Sequence, residues 1–239
     1  MIYFDSAATT PVDIEVIDYM TDILKNVYGN PSSIHKLGQD AKATIEKSRR
    51  QIAQSLQSSA SEIYFTGGGS ESNNLVLRGL LNIGDHFITS NIEHPAIFKT
   101  ASNLEQNGVE VTIVNTNNFG EILLEDIKSK IKPHTKLVSI MFVNNELGTI
   151  NKIQKIGLFL KSKNILFHTD AVQAIGKLDI KLSELNCDFL SASAHKFYGP
   201  KGVGILYIKD GLELNPQITG GGQEKNLRAG TENISGIAG

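Results

Sequence analysis

Apolar extended segments alternate with amphipathic segments along most of the sequence, and this alternation leaves few folds open to the chain. From about residue 63 to residue 208, short runs rich in β-branched and aromatic residues are separated by longer stretches with apolar residues at helical spacing. Such an order places crossover helices between parallel strands. It predicts an α/β fold with a mostly parallel seven-stranded sheet flanked by helices.

The predicted elements can be given individual bounds. The strands are Ile63–Thr66, His86–Ser90, Glu110–Val114, Leu137–Phe142, Ile165–His168, Phe189–Ser191 and Gly204–Ile208. The helices between them are Glu71–Leu81, Pro95–Asn107, Leu123–Lys130 and Ile153–Ser162. Earlier in the chain, Asp13–Val27 and Leu37–Leu56 predict an N-terminal helical segment over about residues 1–60. Because no linker or repeat interrupts the pattern, residues 1–239 are predicted to form one large domain.

Charge and cysteine content argue against several classes of protein. Lys and Arg number 23 against 25 Asp and Glu, so no overall field favours nucleic acid or an anionic membrane as a partner. Apolar runs such as Leu137–Val143 are too short to cross a bilayer, and a cytoplasmic location is expected.

The single cysteine, Cys187, excludes an internal disulfide and a multi-cysteine metal site. We expect no metal, and we interpret Cys187 as a structural thiol.

A glycine-rich run follows the first predicted strand and leads into a helix. It reads Thr66-Gly67-Gly68-Gly69-Ser70-Glu71. Backbone N–H groups and the positive end of the helix dipole meet at such a position, where an anion can bind. The run has neither the Walker lysine nor the full dinucleotide spacing. Taken alone, it is explained equally well as a glycine-rich turn with a serine helix cap.

Two further residues at predicted strand ends suit the chemistry of pyridoxal phosphate. Lys196 follows the sixth strand, at the edge where open α/β folds bind ligands. A partly desolvated lysine can attack an aldehyde and form the Schiff base that this cofactor uses. Asp170 follows the fifth strand, and a carboxylate paired with the pyridine nitrogen keeps the ring an electron sink. Singly, Lys196 is explained as a surface lysine and Asp170 as a helix cap.

His94 and Asn145 follow two other predicted strands. An imidazole can stack on a cofactor ring, and an amide can hydrogen-bond a ring hydroxyl or a substrate carboxylate. Alone, His94 is better explained as a residue at the start of a helix. Five polar clusters at the carboxyl ends of strands nevertheless favour a shared site.

These motifs, in their order along the chain, resemble the signatures of cysteine desulfurases, which are class V, fold-type I pyridoxal-phosphate enzymes. The segments that carry the resemblance are Asp5-Ser6-Ala7-Ala8-Thr9-Thr10-Pro11, Gly29-Asn30-Pro31-Ser32-Ser33-Ile34-His35, Phe65–Asn74, His195-Lys196, Tyr198-Gly199-Pro200-Lys201-Gly202, Gly220-Gly221-Gly222-Gln223-Glu224 and Arg228-Ala229-Gly230-Thr231-Glu232-Asn233. The resemblance implies a fold-type I large domain that binds pyridoxal 5′-phosphate. Gly69-Ser70 replaces the family's common Ala-Thr, and Ala194 replaces a usual glycine; we expect phosphate binding to survive both.

The resemblance also implies roles for individual residues. Lys196 would bind the cofactor covalently, and His94 would stack on its ring and relay protons, so these two are the candidate catalytic residues. Asp170 would pair with the pyridine nitrogen, Gln173 would bond the ring hydroxyl, and Asn145 would lie near that hydroxyl. The phosphate would be held by Gly69, Ser70, Ser193 and His195, and by Thr231 from the partner subunit of a homodimer.

The implied activity removes sulfur from L-cysteine, giving L-alanine and an enzyme persulfide for iron–sulfur cluster assembly or thiolation, by way of a sulfur-acceptor or scaffold protein. In the family the persulfide cysteine lies beyond the matching segments, so we expect this chain to be a large domain without that cysteine or the small C-terminal domain. Another class V enzyme, a selenocysteine lyase or an aminotransferase, is an alternative. A non-catalytic remnant that only binds cofactor or dimerises is another.

Overall fold

The computed structural model describes residues 2–239 and contains one sheet with helices on both faces. The strands are β1 (Ile63–Thr66), β2 (His86–Ser90), β3 (Glu110–Val114), β4 (Thr135–Ser139), β5 (Leu166–Asp170), β6 (Phe189–Ser193) and β7 (Gly204–Ile208). The helices are α1 (Ile14–Asn26), α2 (Lys36–Leu56), α3 (Gly69–Leu80), α4 (Pro95–Gln106), α5 (Leu124–Lys130), α6 (Ile153–Ser162), α7 (Leu182–Leu185) and α8 (Ile234–Ala238). Short 3₁₀ turns occur at Ala60–Glu62, Ala194–Lys196 and Gln223–Asn226.

The sheet has the strand order β1-β7-β6-β5-β4-β2-β3. The pairs β2·β3, β2·β4, β4·β5 and β5·β6 are parallel, and β7 is antiparallel to β1 and β6. A short connection explains the reversed strand, because residues 194–203 are too few for a parallel crossover. The predicted mostly parallel seven-stranded α/β fold is confirmed, and six strands have their carboxyl ends at the same edge.

Several element bounds differ from those predicted. The fourth strand was expected over Leu137–Phe142, but β4 ends at Ser139. The next three residues leave the regular ladder, although Ile140 and Phe142 still donate N–H groups to β5 carbonyls. Strand β5 extends two residues beyond the predicted His168, so Asp170 is its last residue. The short helix α7 was not predicted, because four residues carry no readable helical period.

Burial on both faces explains the continuous apolar strands. Consecutive residues such as Phe87 and Ile88 are fully buried, yet they belong to two different core clusters. One cluster packs against α2, α5 and α6, and the other against α3 and α4. This two-sided burial is typical of parallel sheets. Among the helices of residues 2–239, none is long and apolar enough to span a membrane.

A buried ion pair ties α2 to a loop near the C-terminal end. The Arg49 guanidinium donates to both carboxylate oxygens of Glu224, each at 2.8 Å. One of those oxygens also accepts from the Phe65 N–H at 2.8 Å. Glu224, Lys225 and Asn226 have φ values of 44°, 57° and 68°, which is the left-handed region that disfavours side chains. The ion pair therefore stabilises a strained turn against β1.

Removal of this carboxylate should destabilise the protein strongly. In Glu224→Ala the buried Arg49 guanidinium loses its bidentate partner and keeps only the more exposed Glu46 and the Ile63 carbonyl, and we expect the free energy of unfolding to fall by about 3 kcal/mol. Urea unfolding followed by circular dichroism measures this. Glu46→Ala is the control, because Glu46 contacts the same guanidinium from a 39% exposed position and should contribute less than about 1 kcal/mol. Equal losses in the two variants would contradict the assigned role.

Candidate active site

A cavity of about 400 Å³ opens at the carboxyl edge of the sheet. Every predicted site residue except Thr231 lines it: Gly69, Ser70, His94, Asn145, Asp170, Gln173, Ser193, His195 and Lys196. These residues come from distant parts of the sequence, and parallel strands bring their carboxyl ends together at one edge. The fold therefore brings most of the predicted polar clusters around a single cavity.

The glycines at the start of α3 allow the backbone to approach the cavity closely. Gly68 has φ 145° and acts as the N-cap of the helix. A Cβ on Gly69 would lie 2.6 Å from Val172 Cγ2, so a larger residue here would require the Val172 side chain or the loop to shift. The first-turn N–H groups of this 12-residue helix lack intrahelical acceptors and carry the positive end of its dipole. Together with the Ser70 and Ser193 side chains at the cavity wall, they suit a phosphate.

Lys196 is held by the N-terminal segment of the chain. Its Nζ donates to the carbonyl oxygens of Ala7 and Ala8 at 2.6 and 2.7 Å. Burial lowers the pKa of this amine, and the charge of Lys177 lowers it further, whereas Asp170 and Asp5 act in the opposite direction. The amine is therefore closer to its neutral, nucleophilic form than a surface lysine.

Asp170 is a buried carboxylate at the cavity wall. It accepts a hydrogen bond from Asn73 Nδ2 at 2.6 Å and another from the Val172 N–H at 3.0 Å. Burial raises the pKa of this carboxyl, while the two hydrogen bonds and the charges of His94 and Lys196 act to lower it. Because both of its hydrogen-bond donors are neutral, a cation placed in the cavity would stabilise the ionised form.

His94 combines two interpretations that the sequence presented as alternatives. It is the N-cap of α4, where its Nδ1 accepts from the Ala96 N–H at 3.1 Å, and it also lines the cavity. With Nδ1 as acceptor, the neutral ring carries its proton on Nε2. The helix start thus fixes the tautomer of a side chain at the cavity wall.

Main-chain contacts close the cavity on the side of the N-terminal segment. Thr10 donates to the His195 carbonyl through its N–H at 2.9 Å and its hydroxyl at 3.0 Å. Gln173 Nε2 donates to the Ala7 carbonyl at 2.7 Å. On another side of the cavity, Asn145 Nδ2 donates to Glu146 Oε1 at 2.6 Å. The segment that resembled a family signature is therefore part of the cavity wall.

Three residues with site contacts were not assigned a role from the sequence. Asn73 lies in the quoted glycine-rich motif, but its bond to Asp170 joins positions far apart in the sequence. Lys177 donates to Gln173 Oε1 at 2.7 Å. Glu93 precedes His94 and is buried. The available signal for Glu93 was a carboxylate three residues after the strand His86–Ser90, which is buried along its whole length, a position where a carboxylate is unusual without a partner.

Two candidate residues lie away from the cavity. Thr231 is exposed and lines a separate depression with Glu224 and Arg228. Cys187 is packed in the core, where burial raises the pKa of its thiol to about 12, so it is an inert structural thiol. Within residues 2–239, no group of three or more His, Cys, Asp and Glu side chains could hold a metal ion.

Glu93 is a buried carboxyl group next to the cavity. Its Oε1 accepts from the Ser90 hydroxyl at 2.5 Å and from the Met141 N–H at 2.8 Å. Its Oε2 is buried without a partner among the described residues. Burial raises the pKa of this carboxyl to about 8, and the charge of Asp170 adds to the shift. The folded protein therefore keeps Glu93 protonated at neutral pH, whereas the unfolded chain ionises it.

The proton held by Glu93 should make the free energy of unfolding fall as pH rises. A carboxyl whose pKa is higher in the folded state contributes stability that is complete below the unfolded pKa and is lost as pH approaches the folded pKa of about 8. We expect Glu93→Gln to reduce the loss of unfolding free energy between pH 5 and 8 by about 3 kcal/mol. Urea unfolding at several pH values, with Glu105→Gln on α4 as the surface control, measures the difference. Parallel pH profiles in wild type and Glu93→Gln would refute this assignment.

Comparison with known families gives a match over nearly the whole chain. The family model for class-V aminotransferases matches residues 2–239. Cysteine desulfurase IscS of Dictyoglomus turgidum is 47% identical over 242 residues, covering 100% of this chain and 61% of that protein. A mitosomal cysteine desulfurase of Encephalitozoon cuniculi is 45% identical, covering 96% of this chain and 55% of that protein. The chain thus spans about three fifths of the length of these curated relatives.

Solved structures share the fold closely. The structure of SspA in complex with cysteine superposes with a TM-score of 0.96 at 43% identity, covering 100% of this chain and 70% of that chain. A NifS-like protein from Rickettsia africae superposes with a TM-score of 0.91 at 37% identity, covering 100% of this chain and 66% of that one. At 37–43% sequence identity, the similarity to these structures goes beyond a shared fold.

Proposed function

The chain belongs to the class-V aminotransferase family, and from that premise we propose that it is the cofactor-binding large domain of a cysteine desulfurase that uses pyridoxal 5′-phosphate. The observation that carries the proposal is that one cavity is lined by both Lys196, an amine of lowered pKa, and Asp170, a buried carboxylate. The relatives named cysteine desulfurases support the choice of activity. The SspA structure, which contains cysteine, supports L-cysteine as the substrate.

The residues at the cavity fit this cofactor. Asp170 is buried with neutral donors only, and a protonated ring nitrogen would supply the missing positive charge. Asn73 Oδ1 is buried without a partner among residues 2–239, which leaves an acceptor free at the cavity wall. The α3 N-terminus with its glycines suits the phosphate. When bound, pyridoxal phosphate supplies an aldehyde that condenses with amines and a ring that withdraws electrons from the substrate α-carbon.

Each residue then has a separate task. With pyridoxal phosphate bound, Lys196 Nζ would hold the cofactor covalently and would act as the base for the proton on the substrate α-carbon. Asp170 would keep the ring nitrogen protonated, and Gln173 would donate to the ring hydroxyl. His94 would cover the ring face and offer a second base for proton transfer, and Asn145 would lie near the substrate carboxylate. The phosphate would be held by Gly69, Ser70, Ser193 and His195.

The assembled enzyme is proposed to be a homodimer in the cytoplasm. Thr231 is exposed and lies away from the cavity of its own chain, which supports a role in completing the phosphate site of a partner subunit. Cys187 is unsuited to accept sulfur because its thiol is buried. The accepting thiolate therefore comes from elsewhere in the assembled enzyme, and it passes sulfur to an acceptor or scaffold protein. A single buried cysteine is also compatible with a reducing compartment.

An absorbance experiment tests cofactor binding. With added pyridoxal phosphate, the wild-type protein should show a band near the visible edge that shifts when L-cysteine is added. Lys196→Ala should lose the band because the attacking amine is gone. Lys155→Ala, which removes an exposed lysine on α6, should keep it. No band in the wild type at saturating cofactor would contradict the proposal.

A proton-exchange experiment tests the role of Asp170. The holoenzyme should exchange the α-proton of L-alanine with deuterium in heavy water, and nuclear magnetic resonance measures the rate. Asp170→Asn should keep the absorbance band but exchange about 100-fold more slowly, because a neutral amide does not hold the ring nitrogen protonated. Exchange at the wild-type rate in Asp170→Asn would rule out this role. Conversion of an α-keto acid to an amino acid would instead indicate an aminotransferase.

A further inference from the structure

A second lysine lies beside the cavity and has no task in the proposed reaction. Lys177 Nζ donates to Gln173 Oε1 at 2.7 Å, and Gln173 Nε2 donates to the Ala7 carbonyl at 2.7 Å. The same carbonyl accepts from Lys196 Nζ at 2.6 Å. Three hydrogen bonds therefore link the two amines through one side-chain amide and one main-chain carbonyl.

This arrangement fixes the orientation of the Gln173 amide. The two ends of an amide have nearly the same shape, but one end only accepts hydrogen bonds and the other only donates them. A lysine ammonium only donates, so it selects the oxygen of Gln173, and the Ala7 carbonyl only accepts, so it selects the nitrogen. With Lys177 in place, the donor end of the amide faces the segment that holds Lys196.

The backbone conformation at Gly176 brings Lys177 close to the turn that carries Lys196. Gly176 has φ 76°, and a Cβ at this position would lie 2.6 Å from Phe197 Cβ. Phe197 directly follows Lys196 in the chain. A glycine is therefore needed for the turn that carries Lys177 to lie against the turn that carries Lys196.

The charge of Lys177 acts on the same amine. It is the second cause, after burial, of the lowered pKa of Lys196. The opposing carboxylates are Asp170, at the end of β5, and Asp5, on the N-terminal segment. Partial desolvation also lowers the pKa of Lys177, but the residue is exposed, so water screens much of its charge.

We propose that Lys177 is a positioning residue of this site, which orients the Gln173 amide and, through the Ala7 carbonyl, the Lys196 amine toward a bound cofactor. The inference rests on the proposed function only for the identity of that cofactor. The hydrogen-bonded chain itself belongs to the protein without ligand. It therefore predicts effects that can be measured both with and without pyridoxal phosphate.

The first test uses the protein without cofactor. Competitive labelling of amines with acetic anhydride across a pH series, read by mass spectrometry of the Lys196 peptide, gives the pKa of this lysine. Lys177→Met should raise that pKa by about half a unit, which leaves about threefold less free amine at a given pH below it. Lys177→Arg keeps the charge and the donors and should leave the value unchanged. An unchanged value in Lys177→Met would contradict the action of Lys177 on the Lys196 amine.

A matched control separates this effect from general loss of positive charge. Lys181→Met removes a half-buried lysine four residues further along, where the side chain pairs with Glu184 and does not line the cavity. Its effect on Lys196 should be negligible. Circular dichroism and urea unfolding of each variant establish that the fold is retained. An equal rise in Lys181→Met and Lys177→Met would mean that the position of Lys177 is irrelevant.

The second test measures cofactor affinity in a double-mutant cycle. Lys177→Met should weaken binding of pyridoxal phosphate about fivefold, because the Gln173 donor is no longer held. In a Gln173→Ala background the same substitution should weaken it less than about twofold, since no amide remains to be oriented. Equal losses in both backgrounds would refute positioning through Gln173. If wild type binds no pyridoxal phosphate, the proposed function fails, and the labelling experiment still decides the role of Lys177.

Discussion

The burial of the Asp170 carboxylate is the constraint on which the rest of the site depends. Removing this group from water raises its pKa, and the Asn73 amide and the Val172 N–H compensate only in part. The cavity therefore favours a ligand that brings a positive charge to the end of β5. A lysine amine of lowered pKa at the same cavity and a glycine-lined helix start complete the conditions for an aldehyde cofactor with a phosphate group.

The fold and most of the cavity could be predicted because both follow from local patterns. Strands buried on two faces have continuous apolar sequences, and the residues after parallel strands necessarily meet at one edge. Lys177 was missed because its importance arises from its contact with Gln173. Glu93 was missed because it contacts Met141, which lies beyond the end of β4. A linear sequence pattern shows neither contact. The end of β4 was misplaced because Ile140 remains apolar and buried after leaving the ladder.

The N-terminal segment illustrates the same limit in another way. Its sequence resembled a family signature, yet its contribution to the cavity is made by the carbonyl oxygens of Ala7 and Ala8, which accept from Lys196. Side-chain chemistry does not predict such contacts, because the side chain of alanine forms no hydrogen bonds. Two of the three hydrogen bonds that link Lys177 to Lys196 use the same Ala7 carbonyl. Main-chain atoms thus connect the amine to the surrounding turn.

Location of the cofactor attachment site tests the account most directly. The protein is incubated with pyridoxal phosphate, reduced with borohydride and digested, and the labelled peptide is identified by mass spectrometry. The account predicts a stable phosphopyridoxyl label on Lys196, because that amine lines the same cavity as Asp170 and has a lowered pKa. A label on Lys177, or one spread evenly over exposed lysines, would contradict it.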